Sequence, residues 1–313
     1  MRLPRLSPAT YRRITLIAAI LLAIIIVTGG AVRLTDSGLG CPSWPNCEAG
    51  QLTAHAKSDA HQWIESLNRL FTGLVSIAVI VAVLGSLLRV PKRTDLVWLS
   101  VGLVAGVFAQ AVLGGLTVLF ELAPQFVMAH FLVSIVLLAN AIVLHRRAGQ
   151  PDGPAHAVVT RRTIVLGRVL LGVVAVVLFT GTVVTGAGPH SGGGKNDEVQ
   201  RLDLRIPEVA RIHGTVVVIF LALVLGMLWL LRRDRAPHAV QTWLTVLLVA
   251  LVAQAGVGYG QYLNDIPPLL VGIHIAGATA VFTATLCLYL SMFERPASVA
   301  EAASPPEGVL ATA

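Results

Sequence analysis

The sequence has little charge for its length. Only 12% of its 313 residues are Asp, Glu, Lys or Arg, whereas 55% are hydrophobic. A soluble domain usually carries about 25% charged residues. The mean hydropathy of +0.78 points in the same direction. This composition excludes an ordinary soluble protein and predicts a polytopic membrane protein that is surrounded by lipid.

Cysteine is also scarce, with three residues in the chain. Cys287 lies inside a hydrophobic run and is predicted to pack there. Cys41 and Cys47 lie in GLGCPSWPNC, in the first predicted outer loop, where five intervening residues and two prolines make a disulfide sterically reasonable. Two cysteines alone lack the ligands for a zinc site. A structural staple and a redox-active pair both remain open.

Long hydrophobic runs occur eight times. Each is roughly 20 residues long, which is enough to cross a ~30 Å hydrocarbon core, and runs of this length indicate helices. The sequence therefore predicts an all-α polytopic membrane protein with eight transmembrane helices. The predicted spans are residues 14–34, 66–89, 96–119, 126–145, 164–187, 208–231, 240–262 and 268–292.

The basic residues are sorted by side of the membrane. With the N-terminus inside, 15 of the 23 lysines and arginines fall in cytoplasmic segments. The positive-inside rule then places both termini in the cytoplasm. The net charge of +7 reflects this topology, so nucleic-acid binding is not predicted. These basic residues are Arg2, Arg5, Arg12, Arg13, Arg89, Lys92, Arg93, Arg146, Arg147, Arg161, Arg162, Arg232, Arg233, Arg235 and Arg295.

An internal repeat organises the chain into two halves. From a Gln in the third span of each half, a Gly follows at +4, a Pro at +14 and a His at +20. Each copy has four spans, so the repeat is parallel and predicts two four-helix bundles. We expect an N-terminal bundle over 1–145, a cytoplasmic linker over 146–163, a C-terminal bundle over 164–295 and a disordered tail over 296–313. The matching residues are Gln110, Gly114, Pro124 and His130, and Gln254, Gly258, Pro268 and His274.

Three histidines lie inside predicted spans, near the outer surface: His130, His213 and His274. A lone intramembrane histidine often makes only a structural hydrogen bond. Two imidazoles on facing helices of a bundle, however, are a common way to hold a metal cofactor. His213 and His274 lie on the second and fourth helices of the C-terminal half. They are therefore predicted to clamp a heme iron between them.

The N-terminal half differs at the corresponding position. Counting back from His130 by the spacing between His213 and His274 reaches 67–69, where Asn68 is the obvious occupant. Glu65 lies one turn earlier, so it points the same way as Asn68. It is either a site residue or a first-turn carboxylate that the helix dipole favours. Arg69 and Arg211, at matching helix ends, either pair with heme propionates or snorkel to the interface.

Six motifs together resemble the heme A synthase family of bacterial membranes, the CtaA type, which is related to the mitochondrial enzyme. They extend from the first span to the last. The resemblance rests on a Cys-Pro-Trp loop and on the repeated histidine positions. The motifs are VRLTDSGLGCPSWPNC (32–47), IESLNR (64–69), AQAVLGG with His130, TGAGPHSGG (185–193), RIH (211–213) and GIH (272–274).

The resemblance implies a function and a set of site residues. Members oxidise the C8 methyl group of heme O to a formyl group, bind heme b and supply heme-copper oxidases. Carried over by position, His213 and His274 are heme b ligands with Arg211 beside them, and Glu65 is the catalytic carboxylate. The substrate-heme site would contain His130, Asn68 and Arg69, and Cys41 with Cys47 would form the outer cysteine pair. Many members have His where this chain has Asn68.

The resemblance also implies partners and a location. Heme O is the expected substrate, lipid surrounds the chain, and heme O synthase, cytochrome oxidase assembly factors and a second copy are candidate partners. The bacterial cell membrane is the expected location. Two other functions remain open: a cytochrome-b-like transmembrane electron carrier and a membrane transporter. The carrier would need histidine pairs at both membrane depths, whereas every candidate ligand here lies near the outer side.

Overall fold

The computed structural model describes residues 5–41, 43–47, 51–55, 58–193 and 199–296. Eight long α-helices account for most of these residues. All eight are long and apolar enough to cross a membrane, which confirms the predicted fold class. They are α1 (Pro8–Leu34), α2 (Ala60–Leu88), α3 (Thr94–Leu119), α4 (Pro124–Ala148), α5 (Arg161–Ala187), α6 (Ile206–Arg233), α7 (His238–Leu263) and α8 (Pro268–Ser291).

Seven of the eight helices begin before the predicted hydrophobic spans, and α8 begins at the predicted residue. Ser7 accepts a hydrogen bond from the backbone of Thr10 and caps α1, and Asp59 with Gln62 forms a capping box at α2. Such caps satisfy backbone N–H groups that a helix leaves unpaired in its first turn. The end turns are polar, so a hydropathy window does not count them. This explains why α1 and α2 each begin six residues before the predicted spans.

The packing agrees with two four-helix bundles. In the N-terminal half, α1 and α3 each contact both α2 and α4, and α5 to α8 repeat this ring. The halves meet where α1 contacts α8, where α4 contacts α5, and where α4 contacts α8. The contact of α1 with α8 is equivalent to that of α5 with α4, because α1 corresponds to α5 and α4 to α8 in the repeat. At Gly30 of α1, an added Cβ would lie 2.8 Å from Ile275 Cδ1, so a glycine lets these two helices approach closely.

The arginine-rich helix ends lie opposite the helix ends that contain His130, His213 and His274. Residues 149–160 connect the halves and contain the short strand β1 (His156–Ala157), which pairs antiparallel with β2 (Phe293–Glu294). Helices occupy both ends of the predicted linker over 146–163. Asp95 of α3 accepts hydrogen bonds from Arg93 and Arg147 at this end. All but the first residue of the predicted tail, 296–313, lies outside the described residues.

Candidate functional site

Two imidazole rings face each other in the C-terminal half. His213 lies near the start of α6 and His274 near the start of α8. Their ring centroids are 6.5 Å apart, and the ring planes are inclined by 73°. Two imidazole nitrogens that each lie about 2 Å from one metal ion leave the ring centres roughly 6 Å apart. The spacing therefore suits one metal ion held between the two rings.

The tautomer of His213 is set by Thr180. The Thr180 hydroxyl lies 3.0 Å from His213 Nδ1, and it also lies within 3.0 Å of the carbonyl oxygens of Val176 and Val177. A hydroxyl has one proton, and the carbonyls can only accept, so Thr180 donates to the backbone. His213 then donates its Nδ1–H to Thr180, and the lone pair of Nε2 is free. This is the tautomer that a metal ligand requires.

The residues of the internal repeat make equivalent contacts in both halves. The side-chain amide of Gln254 donates to the carbonyl of His274 at 2.7 Å, and that of Gln110 donates to the carbonyl of His130 at 3.1 Å. A Cβ added at Gly258 would lie 3.1 Å from His274 Cε1, and one at Gly114 would lie 3.5 Å from His130 Cε1. These glycines thus make room for the two rings, which explains the shared offsets in the sequence.

The donor set of the C-terminal half suits a heme. In the described residues, no group of three or more His, Cys, Asp or Glu side chains could hold a metal ion. Two facing imidazoles supply only two ligands, and a macrocycle supplies the other four. The Nδ1 atom of His274 is buried and has no hydrogen-bond partner among the described residues, so the ring is kept in place by packing and by its backbone.

The N-terminal half has a different arrangement around Asn68. Asn68 lies on α2, and its Oδ1 atom is buried without a hydrogen-bond partner in the described part of the chain. His130 Nδ1 is likewise buried without a hydrogen-bond partner among the described residues. The hydroxyl of Thr28, which corresponds to Thr180, donates instead to the carbonyl of Ile25 at 3.4 Å. A Cβ added at Gly29 would meet no atom within 4 Å, so space is open there.

Glu65 and Arg69 form an ion pair under the first outer loop, in which Glu65 is buried and Arg69 is half-buried. Glu65 is 6% exposed. One of its carboxylate oxygens accepts the backbone N–H of Cys41 at 2.7 Å, and the other accepts from Arg69 Nε at 3.0 Å. Arg69 also donates to the carbonyls of Ser43 and Asn46. The sequence does not predict this contact between α2 and the loop, because a loop without periodicity gives no signal of its path.

The predicted disulfide is present. Cys41 and Cys47 are bonded, with their Cα atoms 4.4 Å apart, and both residues are fully buried. Between them, Trp44 lies against Gly115 of α3, where an added Cβ would be 2.9 Å from Trp44 Cδ2. Burial of both sulfurs favours the structural role over the redox-active one, because a reactive pair must be accessible to its partner.

The outer loops of the two halves are joined. Arg33, at the end of α1, donates to the carbonyl of His190 at 2.7 Å and to that of Thr185 at 3.0 Å. The backbone N–H of Gly38 donates to the carbonyl of Gly192 at 2.8 Å. Gly192 has a φ of +96°, which favours glycine. Hydrogen bonds therefore join the two halves at the end at which the histidines lie.

Arg211 is the one predicted site residue with an exposed position. Its side chain is exposed at the start of α6, two residues before His213. This position is open to an anionic group at the mouth of the site and equally to the membrane interface. Arg69, by contrast, is engaged by Glu65 and by loop carbonyls.

Replacing Thr180 with valine tests the tautomer of His213. Valine keeps the shape but cannot accept the Nδ1–H, so affinity of the C-terminal half for heme should fall about 10–100-fold, as is typical when a ligand loses its outer hydrogen bond. Heme titration of the purified protein measures this change. The matched control is Thr28→Val, because the hydroxyl of Thr28 contacts only its own helix among the described residues. Equal effects of the two substitutions on heme affinity would contradict the assigned tautomer of His213.

Comparison with known proteins places the chain in a family. The family model for COX15-CtaA, described as cytochrome oxidase assembly protein, matches residues 12–189. The chain belongs to this family. The matched segment contains the disulfide loop, Glu65, Asn68, Arg69 and His130, and it ends just before the second outer loop meets the first.

Several curated relatives are similar along most of their length. The heme A synthase of Listeria welshimeri serovar 6b is 28% identical over 262 residues, which cover 79% of this chain and 84% of the relative. That of Listeria monocytogenes serotype 4a is 26% identical over 310 residues, which cover 92% and 97%. The heme A synthase of Shewanella oneidensis is 28% identical over 194 residues, which cover 57% and 56%.

Proposed function

We propose that the protein is a heme A synthase, an oxidoreductase that converts the C8 methyl group of heme O to the formyl group of heme A. Membership of a cytochrome oxidase assembly family supports a role in supplying heme-copper oxidases. The relatives that match both halves of the chain carry the name heme A synthase. The bacterial cell membrane is the proposed location, with both termini in the cytoplasm and the site near the outer surface.

The C-terminal bundle is proposed to hold heme b between His213 and His274. Support comes from the ring spacing of 6.5 Å and from the tautomer that Thr180 selects. When bound, a heme supplies one-electron transfer. The protein's part is to orient both rings and to exclude water by packing. Arg211 is proposed to meet a propionate at the mouth of this site, because it is exposed and lies at the same helix end.

The N-terminal bundle is proposed to bind the substrate, heme O. His130 would contact its iron, and Asn68 would lie on the opposite side. Glu65 is proposed as the catalytic carboxylate, which stabilises positive charge that develops as the methyl group is oxidised. Arg69 holds Glu65 in position and anchors the disulfide loop above it. The division into bundles over 1–145 and 164–295 is part of this proposal.

The observation that carries the proposal is the asymmetry between two halves of one fold. One half presents two facing imidazoles, whereas the other presents one imidazole, an amide oxygen without a partner among the described residues and a buried carboxylate. A resident electron-transfer group suits the first half, and a substrate that must enter and leave suits the second. A transmembrane electron carrier would need equivalent ligand pairs at both membrane depths.

Pigment extraction tests the function. Cells that make heme O but lack heme A synthase activity should accumulate heme A when this chain is expressed, and chromatography of the extracted hemes measures the conversion. The control is the same strain with an empty vector. An electron carrier would give a heme-loaded protein and no heme A. A purified protein without a Soret band would contradict both heme functions and would favour a transporter.

A further inference from the structure

The two halves differ most at one pair of equivalent positions. The internal repeat places Asn68 of α2 where α6 has His213. In the C-terminal half, a Cβ added at Gly181 would lie 3.3 Å from His213 Cε1, whereas one added at the equivalent Gly29 would meet nothing within 4 Å. The space that an imidazole fills in one half is thus open in the other, because the asparagine side chain is shorter.

No other described side chain takes the place of the missing imidazole. His61 lies two turns before Asn68, roughly 10 Å along the helix, and its Nδ1 contacts the hydroxyl of Ser37 at 3.1 Å. His55 lies in the loop and contacts Ser58. Both oxygens of the Glu65 carboxylate are engaged by Arg69 and by the backbone of Cys41. On the α2 side, the N-terminal bundle therefore offers an amide and no ligand for iron.

The side chain of Asn68 can accept a hydrogen bond from a small ligand. Its Oδ1 atom is buried and has no hydrogen-bond partner in the described residues. A buried amide oxygen left without a partner destabilises the fold, so such atoms usually face a bound water or ligand. A water molecule has protons to donate to this oxygen and is smaller than the imidazole that occupies the equivalent position in the C-terminal half.

We propose that the substrate heme is held by His130 alone, and that Asn68 keeps its second axial position open to a water-sized ligand. This rests on the proposed function, since it concerns the ligation of heme O in the N-terminal bundle. The Asn68 oxygen accepts a hydrogen bond from water in that position. The same fold thus provides a closed, two-imidazole site in one half and an open, one-imidazole site in the other.

Carbon monoxide distinguishes open from closed ligation without measuring turnover. The full-length protein would be purified with its resident heme, supplied with hemin to fill the N-terminal bundle, reduced and exposed to carbon monoxide. In the wild type, the added heme should bind carbon monoxide and shift its Soret band, whereas the heme between His213 and His274 should not. In Asn68→His, the shift should be lost and the added heme should show a six-coordinate, low-spin spectrum.

Thr28 allows the effect of Asn68→His to be tested with a second substitution. Its hydroxyl occupies the position that Thr180 occupies beside His213, so it can accept the Nδ1–H of the new ring and orient it. The double variant Asn68→His with Thr28→Val should therefore recover part of the carbon monoxide binding. Asn68→Leu, which adds no ligand, should keep full binding, and it maintains the test if the histidine variant does not fold.

The possible failures are distinct. If hemin binds in addition to the resident heme but carbon monoxide does not bind in the wild type, the open position is wrong and the substrate site stands. If Asn68→His binds carbon monoxide as the wild type does, the assignment of Asn68 is wrong. If the wild type takes up no added hemin, or if His130→Ala takes it up unchanged, the substrate site of the proposed function fails, and this inference fails with it.

Discussion

His274→Ala is expected to release heme from the C-terminal bundle. The substitution removes one of two facing imidazoles and leaves a ring-sized space next to Gly258. Loss of an outer hydrogen-bond partner already weakens metal binding about 10–100-fold, so loss of the ligand itself should weaken it by at least ~100-fold. Heme content of the purified protein, measured from the pyridine complex, reports the effect, and heme A formation in cells should stop with it.

Free imidazole provides the decisive control for this variant. The vacated space should admit imidazole from solution, which would restore the low-spin spectrum and part of the heme content. His238→Ala is the matched substitution at an exposed histidine whose side chain contacts Thr242, and it should leave heme content unchanged. Normal heme content in His274→Ala would show that this residue is not a ligand.

Glu65→Gln is expected to reduce heme A formation by a factor of about 10²–10³, the range found when one electrostatic contact to a developing charge is removed. Glutamine preserves the shape and can still accept the backbone N–H of Cys41, but it carries no charge. Quantification of extracted heme O and heme A measures the loss. Accumulated heme O should account for the missing product.

Two further measurements separate chemistry from folding at Glu65. Glu121→Gln removes an exposed carboxylate at the same end of the bundle and should leave heme A formation at the parental level. Arg69→Met removes the donor to Ser43 and Asn46, so it should expose the disulfide to reductant. In Glu65→Gln the disulfide should stay protected. Parental heme A levels in Glu65→Gln would rule out a catalytic role of Glu65.

The repeat was the part of the site that the sequence predicted best. Gln110 and Gln254 matched at fixed offsets from a histidine, and the structure shows why, since each amide holds the carbonyl of that histidine. Helical periodicity keeps such offsets constant, so residues that meet across two helices leave a regular signature. The eight helices were predicted for a related reason, because a hydrocarbon core demands long apolar runs.

The contacts of the outer loops could not be predicted in this way. Glu65 was placed in a heme site or at a helix end, but its nearest partners are Arg69 and the backbone of Cys41. The long-range bonds of Arg33 to residues 185 and 190 were missed as well. Backbone carbonyls in a loop are the same in every residue type, so the sequence contains no pattern that shows which of them an arginine will contact.

The bonds of Arg33 have a consequence for the order of assembly. Translation produces α1 first, and the carbonyls that Arg33 contacts emerge only after four more helices have been made. The first bundle can insert and pack early, but its outer surface is completed by the second. A chain that ended after α4 would lack both of these acceptors for the Arg33 guanidinium. The two copies of the repeat are therefore not independent modules but successive stages in building one protein.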